Sequence, residues 1–299
     1  MAGSLDPAVL DKLAGLSLVA RTVVDGFLSG QHRSPKRGSS AEFAQHREYV
    51  SGDELRRIDW KVFARSDRLV IKEFDDETSL DCHLLVDGSE SMAFGSLDWT
   101  KFEYARWCAA ALAQLVLQTR DTAGLVLFDE VERKKVPPKT GSGQKHDIIA
   151  ALEAYTPTGK TKIGDVLFWL NGRLRRKGIV AIFSDFFDDT DKIIEGLRRL
   201  CYAGHEPILF QIVDPLEMSF DISYLVRLDG LEAAGVHKVD PKSLRAAYLE
   251  ELDAHQRAIA TGTRALGVDY VKLSTSQDLG AALSTYLARR RARSRGGRR

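Results

Sequence analysis

Three polar residues with a regular spacing follow a short apolar run, in the segment Asp87-Gly88-Ser89-Glu90-Ser91. Asp87, Ser89 and Ser91 alternate along the chain, and Gly88 permits a tight turn, so the three side chains can converge on one point. Carboxylate and hydroxyl oxygens are hard ligands of the kind that Mg²⁺ or Mn²⁺ prefers. The D-x-S-x-S pattern therefore indicates a divalent-metal site, although the pattern alone also fits a solvated turn after a strand.

Two further segments supply the remaining oxygen donors. Thr161 lies just before a predicted helix that begins at residue 163, and Asp185 follows the apolar run 179–183. Three loops at one edge of a sheet would then offer two carboxylates and three hydroxyls. The predicted metal ligands are Asp87, Ser89, Ser91, Thr161 and Asp185.

The elements that must position these residues alternate between short apolar strands and amphipathic helices. This alternation predicts an α/β fold, a parallel sheet with helices on both faces. In such sheets ligands bind at the carboxyl ends of the strands, which is where Asp87 and Asp185 stand. The strands are predicted at 82–86, 124–128, 179–183, 207–213 and 268–273, the helices at 99–119, 146–155, 163–174, 191–202, 240–261 and 276–291, and a hairpin at 224–229 and 235–239.

The chain divides into three predicted parts. Residues 1–78 form an N-terminal extension, with helical periodicity over 6–28, a polar linker at 29–41 and a strand near 69–74. Residues 79–288 form the α/β domain, and residues 289–299 form an Arg-rich tail.

The five predicted ligands resemble the metal-ion-dependent adhesion site of von Willebrand factor A-type domains, which combines D-x-S-x-S with a Thr before a helix and an Asp after a strand. The resemblance covers about residues 80–213 and implies a three-layer, Rossmann-type sheet. It also implies that Ser89, Ser91 and Thr161 contact the ion directly, and that Asp87 and Asp185 act through water. One coordination position would remain open for a carboxylate of a partner protein.

A longer block upstream, with a later segment, resembles a bacterial family of unknown function that carries a von Willebrand-like domain and is often encoded beside MoxR-type AAA+ ATPases. That resemblance implies a non-enzymatic, metal-dependent protein-binding module that works with such an ATPase in the assembly or maturation of protein complexes. The residues that carry it are Glu42-Phe43, Arg47-Glu48-Tyr49, Gly52-Asp53, Arg56, Ile58-Asp59-Trp60, Ala64-Arg65, Lys72-Glu73-Phe74 and Asp240-Pro241-x-x-Leu244-Arg245-x-x-Tyr248.

The same motifs also allow other interpretations. Residues 154–161 fit a relaxed P-loop, which favours a metal-dependent hydrolase or NTPase, but a P-loop must leave a strand and residues 147–155 have helical spacing. A D-x-D phosphotransferase would need an acid at Ser89. In the block 42–77 the charged side chains either pair among themselves while Trp60 packs against the sheet, or they form a partner interface.

Composition narrows the function classes further. The 299 residues are 44% hydrophobic and 28% charged, which is typical of a globular protein. The net charge of +1 combines a body of −6 with seven arginines in residues 289–299, a tail that is either solvated or able to bind nucleic acid or anionic membranes. Three separated cysteines and the lack of a signal peptide predict a cytoplasmic protein.

Overall fold

The computed structural model of the chain describes residues 15–21, 24, 43–50, 53, 58–74, 81–221, 226–229, 236–239 and 241–279. The backbone separates into two compact units, one formed by Met1–Gln31 with Leu80–Arg299 and the other by His32–Ser79. The tail 289–299, the linker 29–41 and most of the predicted final helix lie outside the described residues.

The larger unit is built on a six-stranded sheet. Its order is β10-β7-β6-β3-β4-β5, and every neighbouring pair is parallel except β4 with β5. The strands are β3 (Asp81–Asp87), β4 (Thr122–Phe128), β5 (Glu132–Lys139), β6 (Gly178–Ser184), β7 (Glu206–Val213) and β10 (Asp269–Ser274). The predicted α/β fold is confirmed, and its sheet is mixed because one edge strand, β5, is antiparallel to its neighbour.

Helices cover both faces of this sheet and create two separate cores. Successive residues of β3 point to opposite sides, so Leu84 and Val86 belong to one core and Leu85 to the other. The helices are α2 (Lys101–Gln118), α3 (Ser142–Glu153), α4 (Ile163–Leu170), α5 (Thr190–Tyr202), α6 (Pro215–Ser219) and α7 (Pro241–Leu266). The first core contains side chains of α2 and α3, and the second contains side chains of α4, α5 and α7, which makes three layers.

Strand β5 was not predicted, because its sequence Glu-Arg-Lys-Lys-Val-Pro-Pro-Lys has neither the apolar run nor the alternation of a buried strand. It lies at the edge of the sheet, where lysines and prolines are tolerated and discourage pairing with another chain. Gln144 of α3 links β5 to β4, because its side-chain amide donates to the carbonyls of Ala123 in β4 (2.6 Å) and Pro137 in β5 (2.8 Å).

The smaller unit, by itself, contains an antiparallel pair of β1 (Phe43–Glu48) with β2 (Val70–Phe74) and the short helix α1 (Trp60–Ser66). Asp59 caps this helix by accepting from the backbone N–H groups of Lys61 (3.0 Å) and Val62 (3.3 Å). Trp60 is 59% exposed, and its ring meets that of Phe63 edge to face.

Two remaining features complete the fold. The predicted hairpin is present as the antiparallel pair β8 (Val226–Asp229) and β9 (Val236–Val239). No helix in the described part of the chain combines the length and apolarity needed to cross a membrane.

Candidate functional site

The carboxyl ends of β3 and β6 place the predicted residues at one edge of the sheet. Asp87 is the last residue of β3, and Asp185 directly follows β6, which pairs with β3 in parallel. Ser89 precedes a short 3₁₀ helix (Glu90–Ala93), and Thr161 lies two residues before α4. The three loops thus meet at the edge where the sequence predicted a metal site.

Asp87 is the centre of this edge and is fully buried. One carboxylate oxygen accepts the backbone N–H of Ser89 at 2.9 Å, and the other accepts the hydroxyls of Thr161 (2.9 Å) and Ser184 (2.6 Å). The hydroxyl oxygens of Ser89 and Ser91 lie 3.0 Å apart. Four of the five predicted residues are therefore linked in one cluster, in which Ser89 and Thr161 bond to Asp87 and Ser91 contacts Ser89. Ser184, which the motif does not include, joins the same cluster.

The fifth predicted residue, Asp185, forms an ion pair with the ammonium group of Lys101. One of its oxygens accepts from the Nζ of Lys101 at 2.8 Å, and the other accepts the backbone N–H of Phe187 at 3.2 Å. Lys101 also donates to Glu217 at 2.6 Å, and the side chains of Lys101 and Asp185 are completely inaccessible to solvent. Asp185 consequently enters the site with both oxygens already hydrogen-bonded.

Lys101 and Glu217 were missed by sequence reasoning, since neither lies in the D-x-S-x-S pattern. Lys101 opens α2, whose buried face is otherwise mostly apolar, and a buried lysine signals a buried acidic partner. Glu217 occupies the third position of α6 and accepts the backbone N–H of Asp214 at the helix start (3.0 Å). The site is in this way tied to the end of β7.

Two glycines bring the loops together. A side chain at Gly88 would overlap the ring of Tyr155, and the carbonyl of Gly88 accepts from the N–H of Thr158 at 2.8 Å. Gly159 has φ +74°, which favours glycine, and its carbonyl accepts from the N–H of Glu90 at 2.8 Å. The loop after β3 and the loop that carries Thr161 are therefore fixed to each other by backbone contacts.

The electrostatics of the site reflect its burial. Burial, and then the neighbouring charge of Asp185, raise the pKa of Asp87 from 3.8 to about 6, although the hydrogen bonds from Ser184 and Ser89 oppose this rise. Burial lowers the pKa of the Lys101 ammonium, but the charges of Asp185 and Glu217 outweigh it and raise that pKa above its ordinary value. Two buried carboxylates beside each other are thus only partly compensated by one ammonium.

The donor set fits a hard divalent cation. The hydroxyl of Thr161 gives its proton to Asp87, so its lone pairs remain available to an ion. The pKa of Asp87 is raised first by burial and then by the charge of Asp185, and a cation beside these two carboxylates would oppose the second of these effects. Among the described residues no group of three or more His, Cys, Asp or Glu could hold a metal, so a metal here depends on the hydroxyls.

The P-loop interpretation has no structural support at residues 154–161. The segment follows helix α3, which ends at Glu153, rather than a strand. The hydroxyl of Thr161, the residue that would bind a phosphate-bound metal in a P-loop, donates to Asp87 instead. A strand–loop–helix phosphate cradle is therefore not formed by this segment.

Comparison with known proteins gives similarity without an established function. The structure is similar to the protein BatB of Bacteroides thetaiotaomicron (14% identity, TM-score 0.49, 70% of this chain and 98% of that chain) and to the SpRpn10 VWA domain (15% identity, TM-score 0.41, 68% and 93%). Uncharacterized proteins of Mycobacterium tuberculosis and Mycobacterium bovis are 27% identical over 96% of this chain and 91% of their own length. A family model described as "Protein of unknown function DUF58" matches residues 45–258, and the chain therefore belongs to the DUF58 family.

Proposed function

We propose that this chain is a non-enzymatic protein-binding module that uses Mg²⁺ or Mn²⁺ to bind an acidic side chain of a partner. The observation that carries the proposal is the hydrogen-bonded cluster at the buried carboxylate of Asp87: this carboxylate accepts from the Thr161 hydroxyl and from the backbone N–H of Ser89, whose own hydroxyl lies 3.0 Å from that of Ser91. In this proposal the three hydroxyls contact the ion, and Asp87 and Asp185 act through water.

The charges of the site suit recognition of a carboxylate. Asp87, Asp185, Glu217 and Lys101, all ionised, carry a net charge of −2. A divalent ion brings this cluster to neutrality, so the ion is not over-compensated by its own ligands and can accept a further carboxylate. Glu90 is the one other acidic residue of the D-x-S-x-S segment, and it is partly exposed.

The arrangement also supports a binding role over a catalytic one. The carboxylate of Asp87 accepts three hydrogen bonds, and that of Asp185 accepts two. Glu217 is bonded to Lys101. Each of these carboxylates is committed to holding the loops, and none is positioned as a free general base. Binding of an acidic partner side chain requires no proton transfer.

The proposed partner is a MoxR-type AAA+ ATPase, in the assembly or maturation of protein complexes in the cytoplasm. This partner comes from the resemblance of the block 42–77 and the segment 240–248 to the family described above, and from nothing in the geometry of the site. A carboxylate on the surface of the ATPase, or on a client that it remodels, would occupy the open position.

A direct binding measurement tests this proposal. The wild-type chain, Asp87→Asn and the control Asp165→Asn are immobilised, and the purified MoxR-type ATPase of the same organism is bound at constant Mg²⁺ and nucleotide. Asp165 is exposed in the first turn of α4 and is not one of the predicted site residues. Constant Mg²⁺ keeps the needs of the ATPase itself unchanged between samples.

We expect at least a tenfold loss of affinity for Asp87→Asn and no change for Asp165→Asn. Equal binding by all three chains would contradict the proposal that the partner binds through the metal ion. Binding by none of them would contradict the choice of partner and leave the metal site to be judged by its ion affinity.

A further inference from the structure

A pocket of about 420 Å³ lies beside the candidate metal site, between the loop after β6 and helix α7. The described residues that line it are Phe187, Asp188, Tyr248, Glu251, Leu252 and His255. Phe187 and Tyr248 are half-buried, so part of each residue is accessible to a bound side chain. The lining therefore combines apolar walls with two acidic side chains.

Phe187 lies between the pocket and the candidate metal site and contacts residues of that site. The backbone N–H of Phe187 donates to Asp185 at 3.2 Å, and the Phe187 ring lies 5.2 Å from the Nζ of Lys101. A partner segment whose carboxylate reached the ion beside Asp185 would thus extend directly over this pocket. The two features form one surface of the larger unit.

The charges of the lining residues determine which kind of side chain the pocket can bind. Of the described lining residues, Asp188 and Glu251 are acidic and none is Lys or Arg. Both ring nitrogens of His255 are engaged, one 2.8 Å from the carbonyl of Phe186 and the other 3.2 Å from the hydroxyl of Thr190.

We propose that this pocket is a second subsite of the same binding surface and takes an arginine side chain of the partner. The proposal rests on the proposed function, because the partner segment that places the arginine is the one whose carboxylate binds the ion. A guanidinium stacks on aromatic faces and pairs with carboxylates, and both are present here. Asp188 already accepts the backbone N–H groups of Gly164 (3.0 Å) and Asp189 (2.8 Å), so Glu251 is the acidic group that an apolar side chain would cover without supplying a counter-charge. An anion would be repelled by both carboxylates.

A series of labelled peptides provides the test. Each capped peptide carries one Asp and one Arg separated by one to four alanines, and matched peptides replace Arg by the neutral isostere citrulline or Asp by Asn. Affinity is measured by fluorescence anisotropy up to millimolar protein, with Mg²⁺ and with a chelator. Citrulline removes the charge and keeps the shape, so it isolates the electrostatic part of recognition.

Two variants locate the effect on the protein. Glu251→Gln removes an acidic group of the pocket, and Asp253→Asn removes one on the same helix whose side chain is 63% exposed and paired with Arg257. We expect Glu251→Gln to weaken the best Asp–Arg peptide about 2- to 5-fold and citrulline to weaken it about 3- to 10-fold, whereas Asp253→Asn leaves it unchanged.

Equal affinity of the arginine and citrulline peptides, equal losses in Glu251→Gln and Asp253→Asn, or no measurable binding by any peptide would overturn the subsite. The failure of the proposed function has a different signature. If the peptide substitution of Asp by Asn and the chelator leave the affinity unchanged, while citrulline and Glu251→Gln lower it, the arginine subsite is supported and the metal-dependent binding is contradicted.

Discussion

The buried ion pair of Lys101 with Asp185, beside the candidate metal site, provides the sharpest test of the described geometry. Replacing Lys101 by Met keeps the length and apolar stem of the side chain but removes its ammonium. Asp185 is then left with no counter-charge at a position where its side chain is inaccessible to solvent, and Glu217, 14% exposed, loses the same partner. Two uncompensated carboxylates remain next to Asp87.

Removal of one partner from a buried ion pair costs about 3–5 kcal/mol, because the remaining charge keeps its desolvation penalty and loses its compensation. We therefore expect Lys101→Met to lower the free energy of unfolding by about 3–5 kcal/mol. The matched control is Lys162→Met, whose side chain is 50% exposed and 3.4 Å from Glu130. A pair of that kind contributes little, so the control should change stability by less than about 1 kcal/mol.

Urea unfolding followed by circular dichroism, at neutral pH and without divalent ions, measures both variants. If Lys101→Met does not fold, the double variant Lys101→Met/Asp185→Asn removes one uncompensated charge and should restore folding. A loss of less than about 1 kcal/mol in Lys101→Met would refute the inference that this ammonium compensates the buried carboxylates.

Two further predictions concern the site. The pKa of Asp87 is raised to about 6 in the folded chain, so the protonated form is favoured by folding: its contribution to stability is present below pH 3.8 and is lost as the pH rises to 6. Mg²⁺ needs the ionised form of Asp87, so the Mg²⁺ affinity should fall about tenfold per pH unit below pH 6 and level off above it. Calorimetric titrations at several pH values measure this profile, and an affinity that is constant from pH 5 to about 8 would contradict the prediction. Gly88→Ala should destabilise the chain by about 1–3 kcal/mol in thermal or urea unfolding, because a methyl group there overlaps Tyr155, and the loss should shrink in a Tyr155→Leu background. An equal loss in both backgrounds would show that the ring is not the cause.

Much of the fold could be predicted from the sequence because its central strands are buried on both sides. The apolar runs at 82–86, 124–128, 179–183 and 207–213 fall within β3, β4, β6 and β7, each within two residues of the predicted bounds. Strand β5 could not be predicted in the same way, since an edge strand needs no apolar pattern and Lys-Lys-Val-Pro-Pro reads as a loop. Local patterns report burial, and β5 is mostly exposed.

The candidate site was predictable only in its polar ligands. Asp87, Ser89 and Ser91 lie in one segment, and the predicted ends of the strands placed Asp185 at the same edge of the sheet. Lys101 lies at the start of α2 and Glu217 in α6, and the ion pairs that they form join residues far apart in sequence: Lys101 with Asp185, 84 residues away, and Lys101 with Glu217, 116 residues away. Long-range ion pairs of this kind have no local pattern. That the five predicted residues bind a metal remains a prediction.

The central claim is that this site holds one divalent ion through the hydroxyls around Asp87, and calorimetric titration of Mg²⁺ tests it most directly. Wild type, Asp87→Asn and Thr161→Val are compared after circular dichroism has shown that all three are folded, with Asp165→Asn as the control. We predict one ion per chain in wild type and in the control, and at least tenfold weaker binding in Asp87→Asn and Thr161→Val. No binding in wild type, or equal affinity in all four proteins, would contradict the metal site.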